Sequence, residues 1–223
     1  MPGYEVVNAQ LQVNAPDDRF YIRGLGNIDF YLGASQPVSI IQDDVVLEHV
    51  VLKSNPVFDV QQVEVLRGPQ GSLFGRNTTA GIIKFDTIKP SQTWQGRVSA
   101  SAGSLGTFTY DAGVGGPIVQ DKVAVRLSGL MQHRNDWVDN TFAGYSADGT
   151  RTPQKNAMGG FTEKDVRLQV LLTPTDAFSV NVSGHARGYH GTSTIFHRAA
   201  LKKGSNSVSA EPRDRIALDE GND

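Results

Sequence analysis

The glycine-rich stretch VEVLRGPQGSLFGRNTTAG, residues 63–81, is the part of the chain whose residue types could do chemistry. A phosphate-binding Walker loop needs a glycine, any four residues and then Gly-Lys-Ser/Thr, but the residue five positions before Gly75 is Gln70 and the residue after it is arginine. A serine nucleophile elbow needs a glycine two positions away on each side, and Ser72 has glutamine and phenylalanine there. The spacing therefore predicts neither phosphate binding nor a catalytic serine.

The other candidate groups also fail the common catalytic and metal-binding templates. Asp29 stands where the stretch RGLGNID would need the third glycine of a dinucleotide loop. The histidines form no HExxH pair, and the chain has no cysteine to act as a thiolate ligand or nucleophile. Asp43 and Asp44 are adjacent and would point to opposite faces of a strand, so we interpret them as carboxylates of a turn. We predict a protein that is not an enzyme, with no metal site and no cofactor.

The composition limits the classes of partner that the chain could bind. The formal net charge is -2 over 223 residues, and no Lys/Arg cluster is interleaved with aromatic residues, so we expect no nucleic-acid binding. No apolar run is long enough for a transmembrane helix, a test that does not detect the alternating strands of a membrane barrel. The beginning MPGYEVVNAQ lacks the pattern of a secretory signal, which is expected either of a cytoplasmic protein or of a chain whose beginning is missing.

The sequence predicts two kinds of structural unit that could position functional groups, a small α+β unit and a series of long strands. Up to about Pro90 the chain has short Val/Ile-rich segments separated by Gly, Pro, Asn and Asp, which predicts a small α+β unit, with room for one helical turn before Pro56. After Trp94 the pattern alternates strictly between apolar and polar residues. This alternation predicts five strands, at RVSASAG, TFTYDAGVG, KVAVRLSGLMQHR, DVRLQVLL and FSVNVSGHAR.

The alternating strands fit two architectures. The apolar faces carry no charge, as a lipid-facing surface requires, but a half-buried soluble sandwich alternates as well. The connections favour a membrane barrel, because GGPIVQDK and TPTD predict short turns whereas residues Asn135 to Lys164 form a long polar loop. Trp137 and Tyr145 in that loop are candidates for interfacial anchors or, alternatively, for packed loop aromatics. Five strands are too few to close a membrane barrel.

The amino-acid sequence of the glycine-rich stretch resembles that of a known protein family. VEVLRGPQGSLFGRNTTAGIIKFDTIKP, residues 63–90, resembles the end of the plug domain of TonB-dependent outer-membrane receptors, and YIRGLG resembles the earlier Arg-Gly motif of that plug, Arg23 and Gly24. PVSIIQDDVVL is similar to the strand between them, where Asp43 is the motif residue. The stretch from Gly96 to Trp137 looks like the first three barrel strands of the family. Three positions depart from the family pattern, namely Asp44 and Ala80, where glycine is common, and Lys84, where asparagine is usual.

The resemblance implies an α+β plug followed by antiparallel transmembrane β-barrel strands, an incomplete barrel with about five strands. It implies a partial plug domain at residues 1–92 and the N-terminal part of the barrel, with long extracellular loops, at residues 93–223. Large outer-membrane transporters of about 22 strands have such a plugged lumen. Because signal peptide, TonB box and later strands are not seen, we expect the chain to be a fragment that does not transport alone.

The resemblance also implies a function. Receptors of this family take up a scarce ligand, such as an iron-siderophore complex, cobalamin or a glycan, through energy-coupled plug movement. The expected partners are the inner-membrane TonB protein, a small-molecule or metal-chelate ligand and outer-membrane lipid, and the expected location is the outer membrane of a Gram-negative bacterium. The alternative from another class is a soluble β-rich binding or adhesion module.

Particular residues follow from this interpretation. Arg67 directly follows an apolar strand, and its planar guanidinium is suited to acidic groups on a polar barrel wall. We therefore predict a segment that docks the plug against the barrel, formed by Arg67, Gly68, Pro69, Gly71, Gly75 and Arg76. Its glycines permit a tight or left-handed backbone in this loop. Candidate ligand contacts are Phe30, Tyr31, Trp137 and Tyr145, because exposed aromatic residues can serve as ligand platforms. For Phe30 and Tyr31 the alternative is packing in the core of the plug.

Overall fold

The computed structural model describes residues 22, 37–47, 56–142, 144–145, 149, 154–192 and 214–216. The predicted helical turn before Pro56 and the predicted site residues Arg23, Gly24, Phe30 and Tyr31 lie outside the described residues. Within the described part, no helix is long and apolar enough to cross a bilayer.

The first sheet contains β1 (Val38–Gln42), β2 (Val45–Leu47), β3 (Val60–Arg67) and β4 (Gly81–Thr87) in the order β2-β1-β4-β3. β1 pairs parallel with β4, while β2 pairs antiparallel with β1 and β3 antiparallel with β4. A single helical turn, α1 (Gly71–Phe74), lies in the connection between β3 and β4. The Val/Ile-rich segments predicted as short strands are therefore strands in this part of the chain.

The core of this sheet explains its apolar sequence. The central strands β1 and β4 are buried on both faces, with Ile41 and Ile82 fully buried, as is expected of strands covered from two sides. One face of the sheet packs into a cluster formed by Ile22, Val38, Ile40, Ala80, Ile83 and Phe85.

The two adjacent aspartates form the turn between β1 and β2. Gln42 pairs with Val45, so Asp43 and Asp44 are the two central residues of a hairpin, with φ values of 49° and 68°. Positive φ at both central positions defines the type I′ turn whose twist suits a two-residue hairpin, and Asp tolerates this backbone better than most residues. The interpretation of these residues as turn carboxylates is confirmed.

The second sheet contains the long strands. These are β5 (Gln95–Ala102), β6 (Phe108–Val119), β7 (Val123–Arg134), β9 (Phe161–Thr175) and β10 (Phe178–Gly191), in the order β10-β9-β7-β6-β5. All five strands predicted from the alternation are present, but four ends are wrong in the prediction by three residues or more. Residues 116–119 continue β6, residues 173–175 continue β9, residues 188–191 continue β10, and residues 161–164, assigned to the long loop, begin β9. Pairing with neighbouring strands continues through these residues, so Gly, Pro and charged side chains did not mark the true strand ends.

Burial in these strands is the reverse of that in a soluble sheet. The polar face of β9 is buried, each of Glu163, Asp165, Arg167 and Gln169 being at most 5% exposed. The apolar face of the same strand is open, with Val166 46% and Leu168 48% exposed. β7 follows the same pattern, since Arg126 and Ser128 are buried while Leu127 is 50% exposed.

Smaller elements occur in the long connection after β7. Val138 forms an antiparallel bridge with Met158, and β8 (Asp139–Asn140) pairs parallel with β11 (Arg215–Ile216). The chain divides into two compact units, one of residues 1–97, 112–128 and 168–183, the other of residues 98–111, 129–167 and 184–223. The first sheet belongs to the first unit, and β8 and β11 belong to the second.

Candidate functional site

Within the first unit, the end of the β3–β4 pair is buried against the polar face of the long strands. Asp59 precedes β3 and has a φ of 50°, and its backbone carbonyl accepts a hydrogen bond from Ile88 N–H at 3.0 Å. This backbone geometry directs a fully buried carboxylate away from the first sheet, its side chain being 0% exposed. We call the group formed by Asp59, Gly113, Arg126 and Ser128 the corner site.

The carboxylate of Asp59 is neutralised by a side chain of β7. Arg126 Nε donates to Oδ2 at 2.6 Å and Arg126 Nη2 donates to Oδ1 at 2.5 Å, which is the bidentate arrangement that a planar guanidinium favours. Ser128 Oγ, two residues further along the same face, also donates to Oδ2. Arg126 is 3% exposed, so both charges lie out of water, where an ion pair requires this close and complete hydrogen bonding.

A glycine on β6 makes room for this carboxylate. A Cβ atom added at Gly113 would lie 2.6 Å from Asp59 Cγ and Oδ1 and 2.7 Å from Oδ2. Its backbone φ is not in the left-handed region, so the requirement is for space and not for an unusual conformation. The missing side chain at Gly113 therefore leaves a notch in β6, into which the Asp59 carboxylate fits against the strand backbone.

A second contact joins the end of β4 to β9. Gln169, 1% exposed, donates from Nε2 to the carbonyl of Ile88 at 3.0 Å and to Thr87 Oγ1 at 3.3 Å. Asn181 on β10 donates to Gln169 Oε1 at 3.4 Å. The buried amide is thus satisfied on both sides, and it holds the residues that follow β4.

Thr87 also links this contact to the hairpin turn of the first sheet. The Asp43 carboxylate accepts hydrogen bonds from Thr87 N–H at 2.9 Å, from Thr87 Oγ1 at 2.8 Å and from Lys89 Nζ. Burial by itself would raise the pKa of Asp43, but the bonds from Lys89 and Thr87 outweigh it and hold the pKa below the ordinary value of 3.8. Asp43 is therefore ionised at neutral pH and fixes the turn onto the end of β4.

Asp44 binds a different partner. Lys84 Nζ lies 3.0 Å from Asp44 Oδ1 and 3.3 Å from Asp86 Oδ1, and the hydrogen bonds to Asp44 and Asp86 raise the pKa of Lys84. Asp44 and Lys84 are two of the three positions at which the sequence departs from the family pattern. The structure shows that these two departures form an ion pair in which the Asp44 side chain is exposed.

The glycine-rich segment has the backbone that its glycines predict. Gly68 and Gly75 have φ values of 92° and 76°, and Gly68 N–H and Gln70 N–H bond to the carbonyls of Ala80 and Thr78 at 3.0 and 3.1 Å. The segment is thus a closed loop that extends the β3–β4 ladder. Its surface is open: Pro69, Gly71 and Gly75 are exposed, and Arg76 is exposed too.

Arg67 lies at the end of β3 with an exposed side chain, and no carboxylate in the described part of the chain forms an ion pair with it. The predicted docking role of this residue stays a prediction. Trp137 is half-buried, its backbone N–H donates to the Met158 carbonyl at 2.8 Å, and its indole lies against Gly159, so it packs within its loop. Tyr145 is 70% exposed.

Sequence reasoning missed Asp59. It placed Arg126, Ser128 and Gly113 on the polar faces of their strands, but nothing in the alternation says which group those faces meet. One signal was available: a glycine, an arginine and a serine share the inner faces of two adjacent strands, where a buried arginine requires a carboxylate. None of the described residues forms a cluster suited to a metal ion.

Comparison with known proteins identifies the fold. Residues 1–82 match the family model of the TonB-dependent receptor plug domain, so this part of the chain is a plug domain of that family. The α+β plug followed by antiparallel β-barrel strands is the fold of these receptors, so the predicted fold class is confirmed.

The relatives are receptors. The pesticin receptor of Yersinia pestis is 30% identical over 137 residues, 61% of this chain and 19% of that receptor. The ferrioxamine B receptor of Salmonella typhimurium is 34% identical over 86 residues, 38% of this chain and 12% of the receptor. The crystal structure of the ferric yersiniabactin uptake receptor of Yersinia pestis superposes with a TM-score of 0.58 at 23% identity, over 69% of this chain and 23% of that one. The chain spans about a fifth of the length of the pesticin receptor.

Proposed function

We propose that this chain is the plug domain, residues 1–92, and the N-terminal part of the barrel, residues 93–223, of a TonB-dependent receptor in the outer membrane of a Gram-negative bacterium. The receptor takes up a scarce ligand by energy-coupled plug movement, with the inner-membrane TonB protein as its partner. Among the ligand classes considered, an iron-siderophore complex is favoured, because ferrioxamine B and ferric yersiniabactin appear in the names of similar receptors.

The observation that carries this proposal is the reversed burial of the long strands. An apolar face that is open along β7 and β9 suits lipid, while the buried polar face suits a filled lumen. A soluble binding or adhesion module would bury those apolar faces against a second sheet. Within the described residues these faces are open: Val98 is 83% exposed, Val166 46% and Leu168 48%. Strands of 12 to 15 residues exceed the length a tilted strand needs to cross a bilayer.

Aromatic residues on the apolar face support the same environment. In the first unit, Trp94 is 65% exposed and lies over Gly116, next to the short turn after β6. In the second unit, Phe108 contacts Tyr110 and His133, with ring centroids 5.4 and 5.2 Å apart. Amphipathic rings at strand ends are suited to the two membrane–water interfaces.

The corner site gives the plug a fixed point on the barrel wall in this proposal. The buried ion pair and the Gln169 contact join the β3–β4 end to the barrel strands, whereas the hairpin turn is held on its open side by the exposed Asp44–Lys84 pair. Exposed pairs contribute little, while removing one partner of a buried pair is costly.

The test is energy-dependent uptake by the native gene product. A strain lacking the gene, complemented with wild-type or empty vector, is assayed for its membrane fraction and for ferric-siderophore-dependent growth under iron limitation, with and without a protonophore. Recovery of the protein in the outer-membrane fraction, with uptake that stops on addition of the protonophore, is expected. Protein in the soluble fraction without detergent would overturn the proposal.

The glycine-rich segment is tested in the same strain. If Arg67 docks the plug against a later part of the wall, Arg67→Ala raises passive permeability to a large antibiotic such as vancomycin. Lys164→Ala, which removes an exposed charge from the outward face of β9, is the matched control. Unchanged permeability in Arg67→Ala would remove the docking role.

A further inference from the structure

In the second unit, the connection that follows β7 and the segment that follows β10 are joined at two places. The first place is next to the strand ends and consists of Asp136, Gly160 and Thr192, which we call the root cluster. The second is the parallel pairing of β8 with β11, in which Asp139 is the register partner of Arg215. We call this pairing the outer pair.

The root cluster is closely bonded. Asp136 Oδ1 accepts hydrogen bonds from Gly160 N–H and from Thr192 Oγ1, each at 2.8 Å. Thr192 Oγ1 also accepts from Gly159 N–H at 2.8 Å, and Thr192 N–H donates to the Gly160 carbonyl at 3.1 Å. A Cβ atom added at Gly160 would lie 2.6 Å from Asp136 N, so the two backbones are in contact. The root cluster therefore fixes the ends of β7 and β10 and the start of β9 to one another.

The connection after β7 also has a packed part of its own. Val138 and Met158 form an antiparallel bridge and are 3% and 1% exposed. Val138 N–H donates to the Met158 carbonyl at 3.0 Å, and Asn140 N–H donates to the Gln154 carbonyl at 2.7 Å. Because these bonds lie within the connection, β8 is held in place without the segment that follows β10.

The outer pair is a weaker joint than the root cluster. Asp139 N–H donates to the Asp214 carbonyl at 2.8 Å, but Asp214 and Arg215 are both exposed. The pairing extends over two residues on each strand, and a short two-stranded pairing is marginally stable by itself. An exposed hydrogen bond adds little, because water replaces it when the strands separate. Since neither Asp214 nor Arg215 is buried, little free energy opposes the separation of β11 from β8 at these residues.

The difference between the two joints predicts an order of opening. Segments with few buried contacts and exposed backbone hydrogen bonds open at low cost, and the elements that move in function are drawn from them. We propose that the outer pair is a reversible latch, which lets β11 leave β8 while the root cluster stays closed. In the proposed receptor both segments are on the outward side, so the latch opens when the ligand passes between them; this part of the inference rests on the proposed function.

Hydrogen exchange tests the latch without any ligand. The native gene product is purified in detergent, and exchange is resolved to single amides. The Asp139 amide, which bonds across the outer pair, is expected to exchange at least about tenfold faster than the Val138 amide, which bonds within the connection, after correction for intrinsic rates. Equal rates at Asp139 and Val138, or a Gly160 amide that exchanges as fast as that of Asp139, would overturn the latch.

An engineered disulfide closes the latch. The 223 residues contain no cysteine, so Asp139→Cys together with Arg215→Cys introduces one defined pair of thiols. Neighbouring strands lie about 4.8 Å apart, which is within the range that a disulfide spans. Oxidation is expected to slow exchange of the amide at position 139 at least about tenfold, and reduction should restore the original rate. Loss of reaction with a maleimide verifies that the disulfide has formed, and an exchange rate that is the same in both states would contradict the latch.

The same double variant tests the role of the latch in uptake. Washed cells of the complemented strain are given radioactive iron bound to the siderophores of the host's spent medium. Uptake is expected to be at least about tenfold slower in the oxidised double variant than in the same cells after reduction, because the two segments can no longer separate. The single variants Asp139→Cys and Arg215→Cys are the matched controls and should not respond to reduction. Equal uptake by the oxidised and reduced double variant would remove the latch from transport.

The two proposals fail in different ways. If the protein is soluble without detergent and wild-type cells show no protonophore-sensitive uptake, the proposed function fails, while the exchange rates still decide whether the latch exists. If wild-type uptake is sensitive to the protonophore but the Asp139 and Val138 amides exchange equally fast, the latch is wrong and the receptor function stands.

Discussion

Asp59 and Arg126 form a buried bidentate ion pair between residues that are 67 positions apart in the sequence. The pair joins the residue before β3 of the first sheet to the polar face of β7 in the second sheet. Both side chains are withdrawn from water, so each depends on the other for its hydrogen bonds.

Removing one member of this pair should be strongly destabilising. Arg126→Ala leaves the Asp59 carboxylate buried without its bidentate guanidinium partner, which should cost about 3–5 kcal/mol in urea unfolding of the protein in detergent micelles. Lys122→Ala, in the turn before the same strand, is the control and should change stability by less than about 0.5 kcal/mol. The double variant Asp59→Leu with Arg126→Met should recover much of the loss, and an additive effect of the two changes would contradict the direct coupling.

Gly113→Ala tests the notch. The new methyl group would lie 2.6 Å from the Asp59 carboxyl carbon, so the carboxylate or the strand must shift, at an expected cost of about 1–3 kcal/mol. Gly184→Ala on β10 is the matched control, because nothing lies within 4 Å of its added Cβ. The two variants are compared by urea unfolding, and similar midpoints would show that Gly113 is not a spatial requirement.

The ionised Asp43 should make the plug sensitive to acid. Its pKa is held below 3.8, so its contribution to stability is complete above about pH 4 and is lost as the pH falls through the lowered value. Asp43→Asn should therefore be less stable than wild type at pH 7, by about 1–3 kcal/mol, and the difference should shrink in acid. Asp44→Asn, at an 83% exposed side chain, is the control in the same pH series of unfolding curves. A difference that is constant from pH 7 to pH 2 would contradict the role of the carboxylate.

The exposed pair of Asp44 and Lys84 should contribute little. Asp44→Gly loses the ion pair, worth at most about 1 kcal/mol, but glycine adopts the left-handed backbone of the turn without strain. We expect a near-neutral change in the free energy of unfolding. A loss greater than about 2 kcal/mol in the urea assay would mean that the pair holds the hairpin in place.

An arginine on the open apolar face should block membrane assembly. Leu168 is at the middle of β9 and 48% exposed, and a charge facing lipid at mid-depth costs about 2–4 kcal/mol. Leu168→Arg should reduce the amount of protein in the outer-membrane fraction, whereas Ser183→Arg, on the polar face of the neighbouring strand, should not. Equal amounts of both variants would contradict the assignment of the lipid-facing side.

The local features of the fold could be predicted from the sequence. Alternation identified the five long strands because each has two differently solvated faces, and the glycines at positions 68 and 75 predicted a loop with left-handed backbone. The end of the long loop was placed too late, since Phe161 to Lys164 combine apolar and charged side chains that suit a loop as well as a strand with a buried polar face.

The long-range contacts could not be predicted in the same way. Arg67 could be singled out because it belongs to a recognisable motif. Asp59 is a single aspartate in a segment without a motif, and its partners Arg126 and Ser128 lie 67 and 69 positions further along the sequence. Asp44 and Lys84 were noticed separately as departures from the family, and only the register of β1 and β4 shows that they are neighbours.

The corner site also bears on how the protein assembles. A sheet of long strands formed without the end of β3 would leave the guanidinium of Arg126 without its carboxylate and the space beside Gly113 unfilled. The Asp59 carboxylate would likewise lack its bidentate partner. We therefore expect the first sheet and the long strands to gain stability from each other when they assemble together.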